Sequence, residues 1–445
     1  MKSKLIICLL WCVTSLSAMA QSNGNKIEFT EYTLPNGLHV ILHQDNSTPN
    51  VAVSVLYHVG SKNEVEGRSG FAHFFEHLMF EGTENIGRGE YSSLVQKAGG
   101  ALNANTSFDR TYYYELLPSN QVELGLWLEA ERMKHAKIDQ VGVETQRKVV
   151  QEEKRERIDN QPYGSMGENV FSLAYTKHPY RFMPIGSFED LNAATIEEFR
   201  DFYKTFYVPN NATLSVAGDI NIEDTKKMIE KYFSGIPKGT KEIPRPNITE
   251  PKQTEERRKT VYDNIQLPAV IQAYHIPAQG TDDYYALSML TTLLSGGESA
   301  RLPKALVDKQ QKAVAAASIP FPTEDPGLFM AFAIANMGVE VADLEQAMDA
   351  EIERAKKEPL TDREFQKLRN QVESSFVQQN RTVAGRAESL ANYHVYFGDA
   401  NLINTELQRY LNVTKEDVQR VAREYLTKNN RVVLHYLPKS AEAKK

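Results

Sequence analysis

His73-Phe74-Phe75-Glu76-His77 sets two histidines four residues apart, with a glutamate directly before the second. On a helix, positions i and i+4 share one face about one turn apart, so both imidazoles can reach a single ion. Zn²⁺ takes neutral imidazole nitrogen readily, and a catalytic zinc needs three protein ligands plus one open position for water. Glu76, at i+3 from His73, borders the same face and has the chemistry to take a proton from that water. The alternative is two core histidines beside a solvated carboxylate. A third ligand decides between the two.

The elements around these residues narrow the choice. The stretch from Gly70 to Phe80 reads as a helix that is apolar almost all round (Phe71, Phe74, Phe75, Leu78, Met79, Phe80), hence deeply buried. His73, Glu76 and His77 are its polar exceptions, and buried polar groups need partners. A second helix, over Glu144 to Ile158, carries Glu152, Glu153 and Glu156. Glu153 has Val150 at i−3 and Val149 at i−4, which places it on the apolar side; Glu152 has only Val149 and Lys148 at those positions, and Glu156 has Glu153 and Glu152. A carboxylate buried there needs a counter-charge, and a metal ion supplies one. A surface helix laced with i,i+4 pairs explains the charges of this segment taken alone. Beside the histidine pair, the metal reading is preferred.

Strands are expected over Leu38–Leu42, Val51–Val59 and Thr111–Leu117, with Asn36-Gly37 as a turn ahead of the first. Further helices are expected over Leu124–Met133 and Glu364–Gln379. Prolines 237, 244, 246 and 251 crowd a Lys- and Glu-rich stretch, which predicts an extended connection over residues 236–260. It separates an N-terminal domain over 21–235 from a C-terminal domain over 261–445. The halves echo each other: Tyr207–Gly218 and Tyr425–Leu437 each run from a helix through an Asn-Asn turn into a β-branched segment. Two copies of one α+β unit are the expectation.

The first twenty of the 445 residues form a segment of their own. Lys2 and Lys4 precede an apolar run from Leu5 to Val13, and Ser17-Ala18-Met19-Ala20 resembles a cleavage site. Together they predict a secretory signal peptide, too short to remain as a membrane span. Cys8 and Cys12, the only cysteines, lie inside it, so a processed chain has neither disulfides nor thiolate ligands. Removing Lys2 and Lys4 from the 51 basic residues leaves 49 against 58 acidic ones, a net charge of −9. That balance argues against nucleic acid as a partner. Gly296-Gly297 lacks the Lys-Ser/Thr that a phosphate loop requires.

The order H-x-x-E-H is the signature of the inverzincin peptidases, and the chain resembles the pitrilysin/insulin-degrading-enzyme family of zinc metallopeptidases. It is most similar to the short two-domain branch that includes mitochondrial processing peptidase and secreted bacterial homologues. The resemblance covers Leu34-Pro35-Asn36-Gly37-Leu38, Gly60-Ser61, Glu81-Gly82-Thr83 and Gly99-Gly100-Ala101-Leu102-Asn103-Ala104. In the second half it covers Leu294-Ser295-Gly296-Gly297 and Ser299-Ala300-Arg301-Leu302. It implies an α+β fold of two homologous α/β-roll domains, each a mixed, mainly antiparallel sheet with helices on one face, the second without a metal site. It also implies a glutamate ligand in an Arg-x-x-Val-x-x-Glu-like pattern. Arg147-Lys148-Val149-Val150-Gln151-Glu152-Glu153 matches it, with Glu153 lying 76 residues after His77. Ala101 to Ser107 is then an edge strand on which an extended substrate adds as a further strand, with Asn103 and Ala104 in contact with it.

Two departures qualify the resemblance. A supporting glutamate often precedes the third ligand by seven residues, and here Gln146 stands there. Self-sufficient members carry an Arg and a Tyr seven apart after the Gly-rich stretch; the aligned residues here are Val307 and Val314, neither a hydrogen-bond donor. The resemblance thus implies one Zn²⁺ per chain on His73, His77 and Glu153, with Glu76 as the base. It further implies a periplasmic endopeptidase subunit that cleaves oligopeptides or unfolded segments inside a clamshell chamber. A homologous partner would supply the Arg/Tyr pair as a heterodimer, with a homodimer as the alternative. Its rivals are a non-catalytic scaffold subunit and a peptide-capture protein without turnover.

Overall fold

The computed structural model describes residues 26–442, so the expected leader, with Cys8 and Cys12, lies outside the described residues. The first sheet takes its strands from β1 (Thr30–Thr33), β2 (His39–Gln44), β3 (Asn50–Tyr57), β4 (Ala101–Thr106), β5 (Thr111–Pro118) and β6 (Ala212–Gly218). Their spatial order is β1-β2-β6-β3-β5-β4, with only β2 and β6 parallel. The second sheet comprises β7 (Arg257–Asp263), β8 (Ala269–His275), β9 (Ala313–Phe321), β10 (Leu328–Ala335) and β11 (Arg431–Pro438). Its order is β7-β11-β8-β10-β9, again with one parallel pair, β7 and β11. Matching β2 to β7 and β6 to β11 superposes the two topologies strand for strand, with β1 as an addition to the first.

The repeated Asn-Asn turn has a physical basis in both halves. Asn211 donates to the carbonyls of Phe206 and His58, and Asn430 donates to those of Tyr425 and His275. Each asparagine therefore ties the end of a helix to the end of the next strand in space. β7 begins at Arg257, inside the stretch expected as a connection, because residues 257–263 find a parallel partner in β11.

Both faces of each sheet are covered, and alternation along the strands sorts the residues. Val40, Leu42, Val53, Val55, Leu214 and Val216 pack with Phe74, Phe75, Leu78, Leu126, Phe199 and Ile229 of the first half's own helices. The opposite face is covered by the helix Val383–Phe397 of the second half. Ala52 and Ala217 meet Ala387 there, and Ile41 meets Leu390 and Tyr393. The second sheet returns the arrangement: Ile271, Ala273, Leu434 and Tyr436 pack on Val170, Phe171 and Ala174 of the helix Met166–Ala174. Each half thus lends one helix to the other's sheet. This explains why β3 and β6 are buried at almost every position.

Candidate active site

His73, Glu76 and His77 lie on the helix Phe71–Leu78, which is held at its start and along its flank. At its start Gly70 adopts a left-handed φ of 93°, and the Glu64 carboxylate accepts from the N–H groups of Gly70 and Ala72, both at 2.9 Å. Those N–H groups have no partner within the helix, so a buried carboxylate is well placed to hold them. Burial pushes the Glu64 carboxyl up to about 8 despite these bonds. Along its flank Phe71, Phe74 and Phe75 stack on Phe199 or Phe202, and the Tyr113 hydroxyl donates to the Phe75 carbonyl.

Glu153 comes from the helix Gln140–Lys154, which Asp139 caps by accepting from the Gly142 N–H. The inward stripe of this helix is Val143, Val150 and Glu153. Val149, assigned to that side from the sequence, is 44% exposed. At 100° per residue it falls off the stripe, so Val150 alone marks the buried side next to Glu153. Glu152 and Glu156 are exposed. Beyond Lys154 the backbone widens into a π turn over Arg155–Asp159, and Arg157 reaches back to Glu153 Oε1 at 2.8 Å.

The two helices bring the donor atoms together. His77 Nε2 lies 3.0 Å and His73 Nε2 3.7 Å from Glu153 Oε2, and one donor atom from each residue falls within 4.8 Å of the others. The imidazole rings are 4.9 Å apart and inclined at 79°. A tetrahedral ion with bonds of about 2.0–2.1 Å separates its ligand atoms by roughly 3.3 Å. The observed spacings straddle that value, and two imidazoles with one carboxylate suit zinc, so the residues fit the ion. Burial, reinforced by His77, brings the His73 imidazole down to about 4, which keeps it neutral with a lone pair available. The hydrogen bond from His77 is the main pull holding the Glu153 carboxyl below its ordinary value, against burial.

Glu76 borders this cluster. Its Oε2 accepts from the Thr106 hydroxyl at 2.7 Å, and burial pushes its carboxyl up. Thr106 ends β4, which is the edge strand of the first sheet. Leu102 and Ala104 pack towards the core that holds the Phe71–Leu78 helix. By alternation the exposed Asn103 points to the other face, so its side chain does not join the His-Glu cluster. Gln146 donates to Glu81, whose carboxylate also pairs with Arg88. Val307 packs against the second core and Val314 stands 48% exposed on β9, so neither position offers a donor. Thr106, Glu64 and Arg157 were not picked out from the sequence. Arg157, at i+4 from Glu153, was findable by helical spacing; the other two depend on tertiary contacts.

Residues 39–182 match the family described as Insulinase (Peptidase family M16), and residues 193–372 match the Peptidase M16 inactive domain. The zinc protease PqqE of Helicobacter pylori is 34% identical over 416 residues, covering 93% of this chain and 94% of that protein. The crystal structure of a protease from Helicobacter pylori superposes with a TM-score of 0.88 at 33% identity, covering 92% of this chain and all of that one. The periplasmic protease PqqL of Escherichia coli shares the fold, with a TM-score of 0.76 at 20% identity; 94% of this chain matches 48% of that one. With relatives at that identity and coverage, the chain belongs to the M16 peptidase family and has its two-domain fold.

Proposed function

We propose that this chain is the zinc-carrying subunit of a secreted endopeptidase, with His73, His77 and Glu153 holding one Zn²⁺ and Glu76 as general base. The observation that carries the reading is the convergence of three donor atoms within 4.8 Å, with a half-buried carboxylate beside them. When bound, the ion supplies Lewis acidity, polarising a carbonyl and making a water acidic enough to lose its proton near neutral pH. Glu76 receives that proton and returns it to the leaving amine. The Thr106 hydroxyl fixes one of its oxygens and leaves the other to work. Burial raises the basicity of the Glu76 carboxylate, the direction this role requires.

The free edge of β4 is the surface on which an extended peptide adds as a strand beside Glu76. Backbone hydrogen bonds then hold it, with Asn103 and Ala104 at its side. Such binding selects little by sequence, which suits oligopeptides and unfolded segments in a chamber between domains spanning 21–235 and 261–445. With Val307 and Val314 in place of donors, a homologous partner supplies the Arg/Tyr pair. The periplasm is the proposed compartment, in keeping with the leader-like residues 1–20 and the periplasmic relative. A scaffold or peptide-capture role leaves unexplained why Glu76 adjoins all three donors.

The test is zinc content together with phenanthroline-sensitive cleavage of a quenched oligopeptide, measured with and without a homologue that carries the Arg and Tyr. One zinc per chain and turnover stimulated by the homologue are expected. Stoichiometric zinc with no cleavage in either mixture would select the capture role, and no zinc the scaffold.

A further inference from the structure

A second group of metal-ligating side chains lies far from the first. Along the first sheet β2 and β4 are separated by three strands, about 19 Å at the usual strand spacing. His39 opens β2 opposite Thr33 of β1, and Glu31 lies two residues before Thr33 on the same face. This is the face that carries Ile41, and it meets the helix Val383–Phe397 of the second half.

The pairing of strand and helix sets the geometry. Ile41 packs with Leu390, and His39 stacks on His394. Two residues of strand span about 6.8 Å and four of helix about 6.0 Å, so one contact brings the next with it. The two imidazole ring centroids lie 3.5 Å apart, with an interplanar angle of 1°. His39 Nε2 is 3.2 Å from Glu31 Oε2, and one donor atom each from Glu31, His39 and His394 falls within 4.8 Å of the others. Thr33 Oγ1 lies 3.2 Å from His39 Nδ1. A hydroxyl accepting from Nδ1–H would leave the Nε2 lone pair facing the carboxylate, an arrangement that a cation between them stabilises. Among the described residues no hydrogen bond engages either ring nitrogen of His394, and burial beside His39 brings its imidazole down to about 4.

The geometry points to a second divalent transition-metal site formed by Glu31, His39 and His394, which ties the outer strands of the first sheet to a helix of the second half. Two neutral imidazoles and a carboxylate suit Zn²⁺, Co²⁺, Ni²⁺ or Cu²⁺ rather than Mg²⁺ or Ca²⁺. The stacked rings hold their lone pairs parallel, so both can reach one ion at a tetrahedral angle only when the stack opens and each ring turns by roughly 50°. The ion would act as a clip between the two halves rather than as a reaction centre, and the site stands independently of the cluster at His73.

Chelator-stripped full chain is titrated with Co²⁺, reading visible absorption and bound metal by elemental analysis. Wild type is expected to take two equivalents. His394→Gln keeps only the equivalent that His77→Gln loses, and Thr33→Val weakens the second site about 10-fold. Glu31→Gln, at a largely exposed position, repeats the loss without touching the core. The proposal is overturned if His394→Gln and Glu31→Gln both bind as much Co²⁺ as wild type. It is equally overturned if wild type binds only the equivalent that His77→Gln removes. Loss in His77→Gln alone concerns the other site and distinguishes the two readings.

Discussion

Arg132→Met tests how the first half holds the active-site helix. Arg132, fully buried, lies 3.2 Å from Glu115 and 3.7 Å from Glu129, both of which are also fully buried. Its guanidinium sits 4.3–4.5 Å from the ring centroids of Phe80, Tyr91 and Tyr113. Tyr113 in turn donates to Phe75 of the active-site helix, so the cage is wired to that helix. Methionine keeps much of the volume but leaves two glutamates without a cation. Breaking one side of a buried ion group costs about 3–5 kcal/mol. With a urea m-value of about 2.5 kcal/mol/M for a unit of this size, the midpoint should fall by roughly 1.5 M. Fluorescence reads this transition selectively: the two tryptophans are Trp11 and Trp127, so in a chain starting at Gln21 only Trp127 remains. Trp127 lies on the same helix as Arg132, Val122–His135. The triple variant Arg132→Met, Glu115→Gln, Glu129→Leu should recover most of the loss, because no uncompensated charge is left. A midpoint shift below about 0.3 M for Arg132→Met, or a triple variant less stable than the single one, would refute the reasoning.

Thr106→Val removes the one side-chain hydrogen bond to Glu76 among the described residues and should lower turnover about 5- to 10-fold at unchanged zinc content, as one bond of ~1–1.5 kcal/mol implies; quenched-peptide kinetics check it. Gly186 adopts a φ of 73°, and a Cβ there would lie 2.5 Å from the Gly70 Cα at the head of the active-site helix. Gly186→Ala should therefore cost ~2 kcal/mol or more in the Trp127 transition and weaken zinc binding with it. At the junction of the halves, burial pushes the Glu324 carboxyl up, but His58 and Lys62 outweigh it and bring it to about 2. A depressed carboxyl stabilises the fold above its unfolded value of 4.5, and that contribution is lost as pH falls towards 2. Lys62→Met should lower stability at pH 7 and flatten its decline between those limits in an acid series of unfolding midpoints.

Much of the site's placement is legible in the sequence, because it depends on short-range geometry. The i, i+3, i+4 spacing of His73, Glu76 and His77 fixes one helical face, and of the three glutamates Glu152, Glu153 and Glu156 only Glu153 follows the buried Val150 by three residues. The twofold repeat shows in one pair of Asn-Asn turns, since each asparagine must satisfy carbonyls at the same two places. Val149 misled because a valine on a helix can face solvent at little cost, and only the full stripe of Val143, Val150 and Glu153 gives the inward direction. What stayed hidden depends on partners distant in sequence. Glu64 reads as one more acidic residue until its carboxylate is seen to accept from the head of the helix. In the helices Met166–Ala174 and Val383–Phe397 nothing local tells that each covers the other half's sheet. The His39–His394 stack joins residues at opposite ends of the chain for the same reason.

The most direct test of the catalytic assignment is the rate of peptide hydrolysis by Glu76→Gln at measured zinc content, under conditions in which wild type cleaves. Glutamine keeps the shape and the hydrogen bond to Thr106 but cannot take a proton. The variant should bind one zinc per chain as wild type does, while hydrolysis falls by at least 10²-fold, the usual contribution of a positioned general base. A zinc-loaded Glu76→Gln chain that cleaves at the wild-type rate would contradict it.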